Sequence, residues 1–295
     1  MNPDLPPQKQ WGRSAAEAAH RRAAHATGPG ASRPGERASR LRADPSLVTT
    51  GRISWQPQLV DFSLIPESPT PRALFRLEKA LPSLIWNAAA LEGNTFTLPQ
   101  VRTLLEGVTV GGKRQEEAEQ ILALSAAMDL MVREVRSGTF TLRKELSDAV
   151  HGVVARHEAI ESGHFRGEGV TQGGGAVRLA GGGTVKGDRA GDHGELLRAD
   201  YENLLASLAT LDDPRATALA YFCSATRSQF YFDGNKRTAR IMMTGALLQA
   251  GFEAINIPYA RSEEFNVALD RLFQTDDATE LMEFLTTCAP EVSGS

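Results

Sequence analysis

Ser228-Gln229-Phe230-Tyr231-Phe232-Asp233-Gly234-Asn235-Lys236-Arg237-Thr238-Ala239-Arg240 decides how this chain is read. An Asp-Gly-Asn turn runs straight into a helical pattern that carries two arginines. Backbone N–H groups at a helix start, together with the positive end of the helix dipole, attract anions. Arg237 and Arg240 are three residues apart, so they share a helix face and can grip two phosphate groups together. Asp233 precedes the turn, where one carboxylate and phosphate oxygens can hold Mg²⁺.

Helical periodicity surrounds this stretch. Leu74, Leu77, Leu81, Leu84, Ala88 and Leu91 recur every three or four residues, with Pro82 expected to kink or restart the helix. Gly93 stands where a C-cap glycine belongs. Further helices are expected at 98–107, 114–136 and around 142–153, then at 194–209, 214–228, 235–250, 262–274 and 278–287. Asp213 before Pro214 and Ser262 before Glu263-Glu264 are start signals. Residues 50–68 read as extended. Residues 163–192 lose the helical period, and Val170–Gln172 with Ala176–Leu179 read as a hairpin around Gly173-Gly174-Gly175, mobile because of its glycines. The fold class is therefore all-α, a helical bundle with one small β-hairpin.

Composition sets limits. With 295 residues and 41% hydrophobic content, the chain suits one large domain with a tail. No apolar run reaches the roughly 18 residues of a membrane span. Residues 1–46 hold no Val, Ile, Phe or Tyr, so no signal core is expected there. Residues 1–49 read as a disordered arm, with a short helix over Ser14–Ala24. The first 50 residues carry eight Lys/Arg against four Asp/Glu; with a net charge of −4 overall, the remainder is at −8. That remainder offers no broad basic surface to nucleic acid, and the arginine-bearing arm is the one stretch that could touch an anionic partner. Cys223 and Cys288 fall on apolar helical stripes without metal spacing; buried thiols of this kind place the chain in a reducing cytoplasm.

The stretch 229–240 resembles the motif of Fic (Fido) proteins, His-x-Phe-x-Asp/Glu-Gly-Asn-Gly/Lys-Arg-x-x-Arg. Asp233-Gly234-Asn235-Lys236-Arg237 and Arg240 match, while Gln229 replaces the family histidine and Tyr231 the family phenylalanine. Ala88-Ala89-Ala90-Leu91-Glu92-Gly93-Asn94 is similar to the Ser/Thr-x-x-x-Glu-Gly-Asn element of an autoinhibited class, without its Ser/Thr. Gly163-His164-Phe165-Arg166 looks like the Gly-x-x-Arg stretch that leads into the substrate-docking flap. The resemblance covers about residues 70–285. It implies an N-terminal segment with an inhibitory helix at 50–94, a Fic domain at 95–288 and a tail at 289–295.

The resemblance also implies roles. Asp233 would hold Mg²⁺. Gly234, Asn235 and Arg237 would hold the nucleotide phosphates, and Arg240 the γ-phosphate of ATP. Glu92 would pair with Arg240 as a brake. Each residue has a plainer alternative: a turn aspartate, a capping asparagine, surface arginines, a solvated glutamate. Lys236 stands where AMP-transferring members carry Gly and Doc-type members, which move phosphate, carry Lys, so both transfers stay open. Gln229 sits at the position of the general base, but an amide takes up no proton near neutrality and can only orient a hydroxyl. His164 is the candidate substitute. The expected partners are ATP and a protein target docked on a flap at 168–180, with a homo-oligomer left open. The function expected is nucleotidyl or phosphate transfer to a protein hydroxyl; the alternative is a Fic pseudoenzyme that binds nucleotide or protein.

Overall fold

The computed structural model describes residues 47–291. The arm up to residue 46, its expected helix at Ser14–Ala24 and the last four residues lie outside the described residues. Nine α-helices and two short hairpins follow among those described. Strands β1 (Val48–Thr50) and β2 (Ile53–Trp55) pair antiparallel, Thr50 against Ile53. Residues 48 and 49, assigned above to the arm, are thus strand. The stretch after β2 is two 3₁₀ turns, 57–59 and 62–64, instead of an extended run.

Helix α1 spans Thr70–Ala90 without interruption, with Pro82 inside it. Helix α2 (Leu98–Leu105) opens on a capping box in which Thr97 and Gln100 satisfy each other's backbone amides. Then come α3 (Gln115–Arg136) and α4 (Lys144–Val154). The second hairpin is β3 (Ala176–Arg178) with β4 (Thr184–Lys186). The pairing expected from sequence was wrong by one segment. The turn is made at Gly181-Gly182-Gly183, and the strand partner of Val177 is Val185. Both glycine triplets could have closed a turn; the second does, and Gly187 beyond β4 then donates to the Gly175 carbonyl before β3.

Helices α5 (Glu195–Leu208), α6 (Pro214–Ser228), α7 (Asn235–Gln249), α8 (Ser262–Thr275) and α9 (Thr279–Thr286) complete the domain. Asp213 caps α6 by accepting from the Arg215 amide, as its place before Pro214 predicts. Ser262 is the first residue of α8 rather than its cap. Helices α6 and α7 form the centre, flanked by α1, α3, α4 and α5. Alanines 216, 218, 220 and 225 let α6 pack closely, and nearly all of α6 and α7 is buried, as befits central helices. Cys223 and Cys288 are buried free thiols. Among the described residues no helix is long and apolar enough to cross a membrane.

Candidate functional site

The stretch 228–240 is the connection between the two central helices. Helix α6 ends at Ser228, and Gln229 turns the chain in the left-handed region (φ 55°, ψ 57°). Gly234, also left-handed at φ 71°, caps the start of α7; a side chain there would be strained, and a Cβ would lie 3.0 Å from Ala155. The loop between them is pinned from several sides. Phe230 stacks on Phe165 with 5.0 Å between centroids. The Arg166 amide donates to the Phe230 carbonyl at 2.8 Å, and Arg166 Nε to the Gln229 carbonyl at 2.6 Å. Asn235 Oδ1 accepts from the Tyr231 amide at 2.9 Å, while its Nδ2 donates to the Tyr231 carbonyl at 2.8 Å.

His151, read from sequence as an ordinary helix residue, is part of this frame. Its Nδ1 accepts from the Gly163 amide at 2.8 Å, so the proton sits on Nε2, which donates to the Asp233 carbonyl at 2.8 Å. The ring stacks on Tyr231 at 3.8 Å. Burial pushes its pKa down to about 4 against the Asp233 bond, and the Arg237 and His164 charges lower it further. His151 is therefore neutral and fully engaged. It positions the loop and is no proton acceptor for a substrate. His164, the expected substitute base, is exposed. Spacing gave no signal for His151, because its partners come from two distant segments.

Tyr231 departs from the family phenylalanine for a visible reason. Its hydroxyl donates to Asp148 Oδ1 at 2.8 Å and lies 2.8 Å from Ser147 Oγ. The chain of hydroxyls runs on through Tyr221 to Tyr201, 3.0 Å apart. A buried hydroxyl without such partners would be costly.

Gln229 is closed off. Its Nε2 donates to the Thr226 carbonyl at 2.7 Å and its Oε1 accepts from Asn235 Nδ2 at 3.1 Å. The hairpin's outgoing strand covers it. A Cβ on Gly187 would sit 2.5 Å from the Gln229 Cβ, so only glycine lets the two backbones meet. Gly187 donates to the Gly175 carbonyl at 2.7 Å and Asp188 to the Ser228 carbonyl at 2.9 Å. Arg166 Nη2 holds the Asp188 carbonyl at 2.7 Å, and Asp270 takes the Ala180 and Gly181 amides at 3.1 and 2.6 Å. The glycine-rich segment is thus tethered at its tip and its base.

The charged residues gather at the start of α7. Lys236 Nζ stands 3.1 Å from Glu92 Oε2. Arg237 Nη2 is bonded to Glu158 and lies 3.6 Å from Asp233 Oδ1. Arg240, expected to pair with Glu92, has Nε, Nη1 and Nη2 all buried without a hydrogen bond among the described residues, as is Arg237 Nη1. Its guanidinium stands 5.8 Å from the Phe265 ring centroid. Burial raises the Glu92 pKa, but Lys236, Arg237 and Arg240 outweigh it and hold the carboxyl below its usual range. Burial lowers the Arg240 pKa, and the Glu92 charge opposes this only in part. Glu92 therefore acts on Arg240 through its field, while its ion pair is with Lys236. Glu158 escaped the sequence reading: it follows α4 without a motif of its own and meets Arg237 from 79 residues away.

No protein-family model matches the chain. It is 29% identical to the protein adenylyltransferase Fic of Drosophila erecta over 207 residues, 69% of this chain and 39% of that protein. The Drosophila melanogaster protein of the same description matches to the same extent. The chain therefore spans about two fifths of these relatives' length. The fold is similar to that of a Fic domain-containing signaling protein from Bacteroides thetaiotaomicron, with a TM-score of 0.60, 22% identity, and 77% of this chain and 88% of that one covered. Fic-1 from C. elegans gives a TM-score of 0.59 at 21% identity, covering 77% and 64%. With the Asp-Gly-Asn-Lys-Arg turn seated between its two central helices, the chain has the fold of Fic (Fido) domain proteins.

Proposed function

We propose that this chain binds ATP at the start of α7 and transfers AMP to a hydroxyl of a protein target, from a resting state that Glu92 holds closed. The carrying observation is the set of four buried guanidinium nitrogens on Arg237 and Arg240 with no hydrogen-bond partner. Leaving such donors unpaired costs about 1–3 kcal/mol each, and phosphate oxygens would satisfy them. The names of the Drosophila relatives support AMP as the transferred group; Lys236 keeps phosphate transfer as the other outcome.

The residues divide the work. Gly234 and Asn235 present a helix start to the phosphates, and Arg237 and Arg240 supply the charge. Glu92 opposes this by neutralising Lys236 and lowering the positive potential around both arginines. A Mg²⁺ ion fits only as hard cations use a lone carboxylate, completing their shell with phosphate oxygens and water. Asp233, with a side chain 62% exposed, would hold it. Among the described residues no group of three or more His, Cys, Asp or Glu forms a ready cage. The ion would neutralise phosphate charge.

Gln229 favours a second reading, a nucleotide-binding pseudoenzyme, because both ends of its amide are engaged internally. Positioning and charge neutralisation survive without a base, so slow transfer is the expected basal behaviour. Calorimetric titration of ATP with Mg²⁺ into the protein and its Glu92→Gly variant tests the common ground. Binding that tightens about tenfold or more in the variant is expected once this opposing charge is gone. No binding to either would overturn the proposal. Label from α- or γ-labelled ATP appearing on protein then separates AMP transfer, phosphate transfer and the pseudoenzyme.

A further inference from the structure

Three cations meet at the start of α7, and carboxylates answer two of them. Lys236 has Glu92 and Arg237 has Glu158. Asp233 also faces Arg237, but from an exposed side chain whose charge water screens. Arg240 has no ion pair among the described residues, and Phe265 offers it a ring and no hydrogen-bond acceptor. Arg240 is thus a buried cation without a direct ion pair, and such an ion is expensive in the interior.

Arg240 borders a small, partly open chamber of about 30 Å³ between α1, α3 and α7. Its wall includes Arg237, Arg240, Leu84, Ala88, Met128 and Ile257. The unpaired side-chain atoms in the wall are all donors: Nη1 of Arg237 and Nε, Nη1 and Nη2 of Arg240. The unpaired Glu92 Oε1 belongs to a residue outside the wall. A water needs acceptors for its own hydrogens as well as donors, and no carboxylate stands in this wall. An anion takes donors alone. The space is large enough for a water or a single small anion.

We infer that this chamber binds one small monovalent anion of the halide class on Arg240 and Arg237 in the closed protein. Unpaired donors, a buried guanidinium without a direct ion pair and a small cavity beside it point to the same occupant. Ala88 contributes only a methyl group to the wall, so α1 supplies no hydroxyl there. If the nucleotide reading above holds, the anion competes with the terminal phosphate for Arg240, and ATP binding weakens as halide rises.

The full chain, exchanged into sodium gluconate, is melted during titration with sodium chloride or bromide at constant ionic strength. A saturable rise of a few degrees is expected with either halide. Crystals grown from bromide should show an anomalous peak within hydrogen-bond reach of the Arg240 guanidinium. Ala88→Val, which fills the chamber, and Arg240→Met, which removes the charge, should each abolish the halide-dependent rise. Should either variant fail to fold, the bromide map of the unaltered protein decides. No halogen signal in the chamber means water alone solvates Arg240 and overturns the inference, whatever the melting shows. No readout involves nucleotide, so failure to bind ATP would leave this site standing, and an absent halide would leave the ATP reading untouched.

Discussion

Asn235 Nδ2 donates to Gln229 Oε1 across 3.1 Å, so the side-chain oxygen at the proposed base position is already engaged by the motif itself. The same Asn235 grips both backbone groups of Tyr231. Position 229 is thus built into the frame of the loop.

A histidine at 229 is compatible with that frame, because the left-handed conformation tolerates His better than most residues. In a Glu92→Gly background, Gln229→His is predicted to raise transfer by about 10²–10⁴, the usual worth of a general base. The measurement is incorporation from α-labelled ATP into protein. If the double variant binds ATP and transfers nothing, the transferase reading falls and the pseudoenzyme reading takes its place.

His151 predicts an acid-sensitive fold. Its folded pKa is about 4 against an ordinary 6.5. Between those values the unfolded chain binds the proton and the folded one does not, so stability declines as pH falls through that window, by up to about 3 kcal/mol. Glu92 adds to the loss at lower pH: its folded pKa is depressed, so its contribution is present above its ordinary value of 4.5 and disappears as pH falls through the folded value. Urea midpoints at pH 7.5, 6 and 5 measure the slope. His151→Gln, which cannot take up the proton, should flatten it; an unchanged slope would assign the acid sensitivity elsewhere.

Tyr231→Phe restores the residue common in the family and is nevertheless predicted to destabilise. The change removes the hydroxyl from Ser147 and from Asp148, whose pKa is raised chiefly by burial. The expected loss is about 1–2 kcal/mol in denaturant unfolding. In a Ser147→Ala background the cost should be smaller, because the two hydroxyls share one network. Equal cost in both backgrounds would show that Tyr231 acts through Asp148 alone.

The helices were legible because their signals are local. Periodicity, the Thr97–Gln100 capping box, Asp213 before Pro214 and the glycine at 93 act within a few residues, and the observed bounds lie within about two residues of those expected. The hairpin was misplaced because two glycine triplets compete locally, and the contacts that hold the observed one, Gly187 against Gln229 and Asp270 on the Ala180 and Gly181 amides, come from distant segments. Glu158 and His151 carried no usable signal. One residue binds a helix start 79 residues away; the other binds a carbonyl 82 residues away.

The sequence by itself determined that a glycine turn would feed a helix bearing Arg237 and Arg240, since turn and cap chemistry is settled by neighbours along the chain. Tertiary structure alone decided how those charges are answered. Glu92 reaches Lys236 instead of Arg240, Glu158 takes Arg237, and Arg240 is left without a hydrogen-bonded counterion. Which carboxylate meets which cation depends on how α1 and the segment after α4 pack against α7, and that packing is fixed by burial of the whole core rather than by any motif.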